Sequence, residues 1–373
     1  MSRTLVIHVG AQKCASSSLQ ASLRLAHQAL NGHFGFCFLN PAQLRSADLA
    51  LAERQPIADA FAYIDQVLAR QTADQVVISH EMLGNRPVLV GAIAERAIAT
   101  FSFDRVVISG YTRLQSSYHI SAFSQWFFRD RKRLTSDVKV FQELGLPWRK
   151  FTAQERHLFA LSYSGGRDRN WFSNYKRFCS EVSHLSDRVE VVSCHIPTRH
   201  LPYSLLRHFL ESTGLNFEHE DLGSMDVRKN QSFDPIVIQG ISNFSSELPL
   251  RRQSFFPGPH EGNRWLFRVC DRVVDREDLT REFEDLFSPS FQQNLVNHID
   301  SRTAKSNIEY CQLMSVDPRY FEPEPGALEL ASDELVDFAS QVALKRKMKL
   351  IMAYNRAIED ECFRAARLEI VST

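Results

Sequence analysis

VIHVGAQKCASSSLQASL, residues 6–23, runs an apolar stretch into one glycine, a lysine, three consecutive serines and then leucines at helical spacing. The β-branched run reads as a buried strand, and Leu19, Leu23, Ala26 and Leu30 recur at the period of a helix. The junction is therefore a strand–loop–helix. A loop of this kind presents unpaired backbone N–H groups and the positive end of the helix dipole, which together suit a phosphate. Lys13 adds a full charge, and Ser16, Ser17 and Ser18 offer both an N-cap and hydroxyl donors. The plainer alternative is an ordinary strand–loop–helix whose serines only cap.

Outward from this segment, short β-branched runs alternate with helical stretches. Strands are predicted at 4–9, 76–79, 105–109 and 189–194, with helices at 57–71 and 117–128 between them. That alternation is the pattern of a parallel sheet covered by helices, an α/β fold. PLRRQSFFPGPHEGN, 249–263, is rich in proline, glycine and charge and reads as a surface loop or insertion. YFEPEPG, 320–326, punctuates the chain again, and 328–367 reads as a helical appendage. The division this suggests is an α/β domain over 1–320 and a C-terminal helical extension over 321–373.

Composition narrows the functional classes. The chain has 373 residues and 44% apolar content, enough for one large domain or two small ones. Acidic and basic side chains balance at 44 each, so no global field draws the chain to nucleic acid or an anionic membrane. Any anion site must be built locally. The start reads as no signal peptide, and no run approaches the roughly 18–20 apolar residues of a membrane span, so a cytoplasmic protein is expected. Seven scattered cysteines without a CxxC pair point to reduced thiols. Histidines such as His195, His200 and His260 lack HxxxH or HExxH spacing, so no metal site is expected. RDRKR, 129–133, and KRKMK, 345–349, read as solvated helix faces in preference to guides for an acidic polymer. Trp126, Phe127 and Phe128 read as core in preference to a sugar cleft.

The ATP-binding P-loop, GxxxxGK[ST], places its lysine directly before the magnesium-holding hydroxyl. Here Lys13 comes three residues before Ser16. The order instead resembles the 5′-phosphosulfate loop of the sulfotransferases, K-[ST]-G-[ST]-[ST], and especially its bacterial form H-x-G-x-x-K-T-G-T-T-S-L-Q. His8, Gly10, Lys13, Ser16, Ser17, Ser18, Leu19 and Gln20 match, whereas Cys14 and Ala15 depart, alanine standing where the pattern has glycine. The family also carries an arginine just after a central strand and a serine eight residues later, which hold a 3′-phosphate. Arg113 and Ser121 stand in that relation. A basic loop further on, often R-x-N-x-S-L-x-P, resembles DVRKNQSFDP at 226–235, with Arg228 favoured over the adjacent Lys229. DSRTAKSNIEY, 300–310, resembles the closing helix.

The resemblance implies a three-layer, P-loop-like parallel sheet and 3′-phosphoadenosine 5′-phosphosulfate (PAPS) as donor, with adenosine 3′,5′-bisphosphate as product and no metal. Main-chain N–H groups from Cys14 and Ala15 to Ser18, with the hydroxyls of Ser16 and Ser17, would hold the 5′-phosphate. Arg113, Ser121 and Arg228 would hold the 3′-phosphate, and Lys13 would neutralise charge on the leaving group. The acceptor hydroxyl needs a base. His80 and Glu81 follow a strand, where active sites of open α/β sheets gather. Glu81 is favoured, since Ser79-His80-Glu81 resembles the S-x-E of carbohydrate-directed members, and small-molecule members use histidine. A carbohydrate or glycolipid acceptor is implied. The alternatives are a nucleotide-dependent kinase and a catalytically degenerate nucleotide-binding protein.

Overall fold

The structure, a computed structural model, describes residues 2–30, 33–53, 57–165, 170–196, 204–215, 222–227, 233–247, 276–287, 289–322 and 330–371. The loop expected at 249–263, together with His200 and His260, lies outside the described residues.

Five parallel strands form one sheet: β1 (Thr4–His8), β2 (Phe34–Phe38), β3 (Gln75–Ser79), β4 (Arg105–Thr112) and β5 (Val189–His195), in the order β2-β3-β1-β4-β5. The three central strands are in register, Val6 standing between Val77 and Val107, and His8 between Ser79 and Ser109. Leu5, Ile7, Val76, Ile78, Val106 and Ile108 point to one face, and Val6, Val77 and Val107 to the other. All are fully buried. Burial on both faces explains why these strands read as continuous apolar runs without alternation. Each such side chain contributes roughly 1.5–3 kcal/mol relative to exposure.

β2 was not expected from the sequence. FGFCF carries no β-branched residue, and its strand signal lies in the alternation of Phe34, Phe36 and Phe38 over only five residues. Gly35 serves a close approach, because a Cβ there would stand 2.8 Å from the Gln71 side-chain oxygen.

The chain divides into two compact units, which interleave along the sequence. The first comprises residues 1–114, 170–231 and 304–322 and contains the sheet, flanked by helices that include α1 (Ser16–Ala29). The second comprises 115–169, 232–303 and 323–373 and is helical in its described residues. The compact units thus divide along other lines than the boundary at 320/321, and the C-terminal helices Ser332–Lys345 and Met348–Val371 share a unit with helices from the middle of the chain.

Within the second unit, the helix expected at 117–128 spans Gln115–Phe123 and gives way to a 3-10 turn at Phe127–Arg129. Asp300 caps its first turn, accepting from the Ser116 N–H at 3.1 Å and the Ser116 hydroxyl at 2.6 Å. Phe128 is fully buried, and Trp126 and Phe127 are half-buried. RDRKR is not a simply solvated face: Asp130 caps the helix Arg131–Glu143, and the Arg133 guanidinium lies 3.9 Å over the Phe127 ring.

Candidate functional site

The strand order defines where a ligand would sit. The chain leaves β1 toward β2 on one side of the sheet and leaves β4 toward β5 on the other. The carboxyl ends of β1 and β4, which are neighbours, therefore flank the switch point at which open α/β sheets bind ligands. The Lys13 loop leaves β1 there, and Arg113 leaves β4.

Between β1 and α1 the backbone makes three left-handed turns, at Gly10 (φ 44°), Lys13 (φ 69°) and Ala15 (φ 58°). Gly10 has no room for a side chain, because a Cβ would lie 2.7 Å from the Ser16 hydroxyl. Gly84, after β3, is equally constrained: its Cβ would lie 2.5 Å from the Gly10 carbonyl oxygen, so β3's loop packs directly on the loop of β1. The N-cap is Ala15, in the left-handed region and with no side-chain cap. This corrects the expectation that a serine caps the helix. Ser16 is buried and donates back to the Ala11 carbonyl at 2.9 Å, bracing the loop. Ser17 reaches across to Glu81 Oε1 at 3.4 Å.

Leu19 N–H makes an early helical bond, to the Ala15 carbonyl at 3.0 Å. The N–H groups of Ser16 and Ser17 precede it in the first turn and point outward along the axis, where the dipole favours an anion. The Cys14 N–H is directed elsewhere, donating to the Ala11 carbonyl at 3.0 Å. That N–H, expected to face a 5′-phosphate, is therefore already engaged within the loop.

Arg113 Nη1 donates to the Lys13 carbonyl at 3.0 Å, and the Arg113 carbonyl accepts from the Trp171 indole N–H at 2.9 Å. Its Nε is buried and has no hydrogen-bond partner among the described residues. Burial lowers its pKa. No carboxylate among the described residues pairs with it, so the positive charge is held at the switch point without an acidic neutraliser. Ser121 lies half-buried on the helix Gln115–Phe123 of the second unit. Arg228 and Lys229 lie outside the described residues.

The two candidate bases differ in what they already do. His80 is the N-cap of the 3-10 turn Glu81–Asn85, its Nδ1 accepting from the Met82 N–H at 3.0 Å. In the neutral ring the proton is then on Nε2, so neither nitrogen is a ready acceptor. Burial, and secondarily Arg45, lowers its pKa and keeps it neutral. Glu81 is half-buried in the first turn of the same segment, with its carboxylate toward Ser17 at the N-terminus of α1.

Sequence reading missed the supporting shell. Gln20 donates to Ser79 Oγ at 3.0 Å, and Ser79 Oγ lies in hydrogen-bond contact with His8 Nδ1, 2.7 Å away. His8 Nε2 is buried without a hydrogen-bond partner among the described residues, and the ring stands edge-on to Phe209 at 5.5 Å. Burial pulls its pKa down to about 4. Past the carboxyl ends of β4 and β5, Tyr310 hydrogen-bonds Thr112, at 3.0 Å, and Ser193. His195 lies 3.3 Å from the Thr112 hydroxyl, its ring against Tyr320 and Phe321. Burial, and secondarily Arg113, lowers the His195 pKa to about 3. No spacing rule links these residues, which come from β4, β5, the helix Pro289–Met314 and the 3-10 turn Pro318–Phe321.

Among the described residues there is no cluster of three or more potential metal ligands and no helix long and apolar enough to cross a membrane. Compared with known proteins, the chain matches no family model, and neither a curated protein nor a solved structure matches it significantly.

Proposed function

We propose that the chain is a PAPS-dependent sulfotransferase with a P-loop-like phosphate site, acting on a hydroxyl of a carbohydrate or glycolipid. The observation that carries this reading is the hydrogen bond from Arg113 to the Lys13 carbonyl, because it joins two motifs read independently a hundred residues apart. The chain's residues fit the donor. The first turn of α1 and Lys13 suit one phosphate, and Arg113, whose buried Nε has no hydrogen-bond partner among the described residues, suits another. Ala15 adds support: where the family pattern has glycine, the backbone is left-handed, a conformation glycine adopts without cost.

Bound PAPS supplies the sulfuryl group and leaves as the 3′,5′-bisphosphate. Ser16 and Ser17 N–H groups orient a phosphate at the helix terminus. Lys13 offsets negative charge that grows there as the bond to the leaving group weakens. Glu81 takes the acceptor proton, with Ser17 holding the carboxylate on the loop side. His80 shapes the turn that presents Glu81.

The test is transfer of labelled sulfate from PAPS to a panel of glycans by the purified chain, beside Lys13→Ala. Transfer by the parent, reduced on the order of a hundredfold or more in the variant, is the expected result. Equal transfer by Lys13→Ala would refute the assigned role, and transfer of phosphate from ATP with magnesium would replace the reading with a kinase.

A further inference from the structure

The turn between the helices Ser332–Lys345 and Met348–Val371 concentrates charge that the chain as a whole lacks. Residues 338–358 hold Lys345, Arg346, Lys347, Lys349 and Arg356 and no Asp or Glu, within a sequence whose charges balance at 44 each. One of these cations is structural. Arg346 turns inward and pairs with Glu155 at 2.7 and 2.9 Å, and it also donates to the Lys150 carbonyl at 2.9 Å. Lys150 in return donates from Nζ to the Ala343 carbonyl at 2.6 Å. These bonds fix the turn from beneath.

What the turn displays outward is mixed. Lys345, Lys347 and Lys349 are exposed, and beside them Leu344 is 83% exposed, Leu350 52% and Met352 39%. Along the second helix Ile351, Tyr354 and Ile358 face the core. Lys349, Met352, Ala353 and Arg356, spaced three and four apart, therefore share the exposed side. A single exposed leucine is ordinary. Three large apolar side chains interleaved with three lysines on a pinned turn are a different surface.

We infer that this turn docks on an anionic lipid surface, its lysines meeting headgroup phosphates while Leu344, Leu350 and Met352 enter the boundary between headgroups and acyl chains. The charge selects an anionic partner, and the apolar side chains select a bilayer over a soluble polyanion, which gains nothing from leucine. The sequence reading of KRKMK as a solvated helix face saw the lysines without the exposed apolar residues around them. The inference does not rest on the sulfotransferase reading.

Co-sedimentation of the full chain with vesicles tests it, using equal parts phosphatidylcholine and phosphatidylglycerol against phosphatidylcholine alone at low ionic strength. The chain should pellet with the mixed vesicles and not with phosphatidylcholine. Lys345→Gln/Lys347→Gln/Lys349→Gln should weaken that partition on the order of a hundredfold. Leu344→Ser/Leu350→Ser should weaken it by roughly tenfold or more. All five positions are exposed, so melting temperatures should not move. Failure to pellet with the mixed vesicles would overturn the inference, as would unchanged partition in either variant. Loss in the lysine variant alone would reassign the surface to a soluble polyanion.

Discussion

The two halves of the sheet end differently. Past β4 and β5, Thr112, Ser193, His195 and Tyr310 form a buried polar network shut under Tyr320 and Phe321. Past β1 and β3, Lys13, Ser17 and Glu81 are half-buried and gather at a helix terminus whose first N–H groups face outward. Hydroxyls and imidazoles are as plentiful at one end as at the other. What separates them is access: a buried network fixes geometry, whereas the groups around an anion-favouring terminus are partly open to solvent. Arg113, at the β4 exit, touches both, bonding to the Lys13 loop and lowering the His195 pKa.

The largest expected effect breaks the open end alone. Glu81→Gln keeps the shape and removes the basicity, so turnover should fall by roughly a hundredfold to ten-thousandfold while bisphosphate affinity is unchanged. Steady-state kinetics beside equilibrium binding measure the two. Full activity in Glu81→Gln with an inactive, folded His80→Ala would reverse the assignment of the base.

Acid stability sharpens the comparison, because each end holds a buried histidine. His8, at about 4, takes up a proton less readily than in the unfolded chain, where its ordinary value is 6.5. Its contribution is therefore intact above pH 6.5 and is lost as pH falls toward 4, amounting to on the order of 3 kcal/mol. His195, at about 3, acts in the same sense and over a slightly wider range. Urea unfolding at pH 7 and pH 4 should show a smaller drop in His8→Gln than in the parent. Equal drops would mean that His8 is not held neutral by its burial.

The sealed end should respond in stability and not in chemistry. Tyr310→Phe leaves the Thr112 and Ser193 hydroxyls without their shared partner and should cost about 1–3 kcal/mol, with turnover of the folded protein preserved. A turnover loss without a stability loss would move Tyr310 into the chemistry. The smallest effect is a gain. Ala15→Gly relieves a left-handed alanine and should stabilise by about 1 kcal/mol in thermal unfolding.

Four of the five strands and the strand–loop–helix around Lys13 were legible because both are local: buried parallel strands are apolar runs, and the loop is a short string between a strand and a helix. The placement of Arg113 and Glu81 was legible because each follows the end of a strand. The rest depends on partners far along the chain. The helix Gln115–Phe123 starts where Asp300 caps it, and the C-terminal helix breaks where Arg346 finds Glu155. Neither is visible to a reading of neighbouring residues. β2 signals itself only through three alternating phenylalanines in a five-residue run, and Ala15 as a left-handed cap runs against the propensity of alanine.

A separate site for a 3′-phosphate, centred on Arg113, is the claim on which the sulfotransferase reading stands. Thermal unfolding with adenosine 3′,5′-bisphosphate, AMP and ATP with magnesium, on the parent and on Arg113→Ala, measures it most directly. The bisphosphate should raise the melting temperature of the parent far more than AMP or ATP does. That excess should vanish in Arg113→Ala, which removes a charge-assisted contact of roughly 1.5–3 kcal/mol. Equal stabilisation by ATP with magnesium, or an excess that survives in Arg113→Ala, would contradict it.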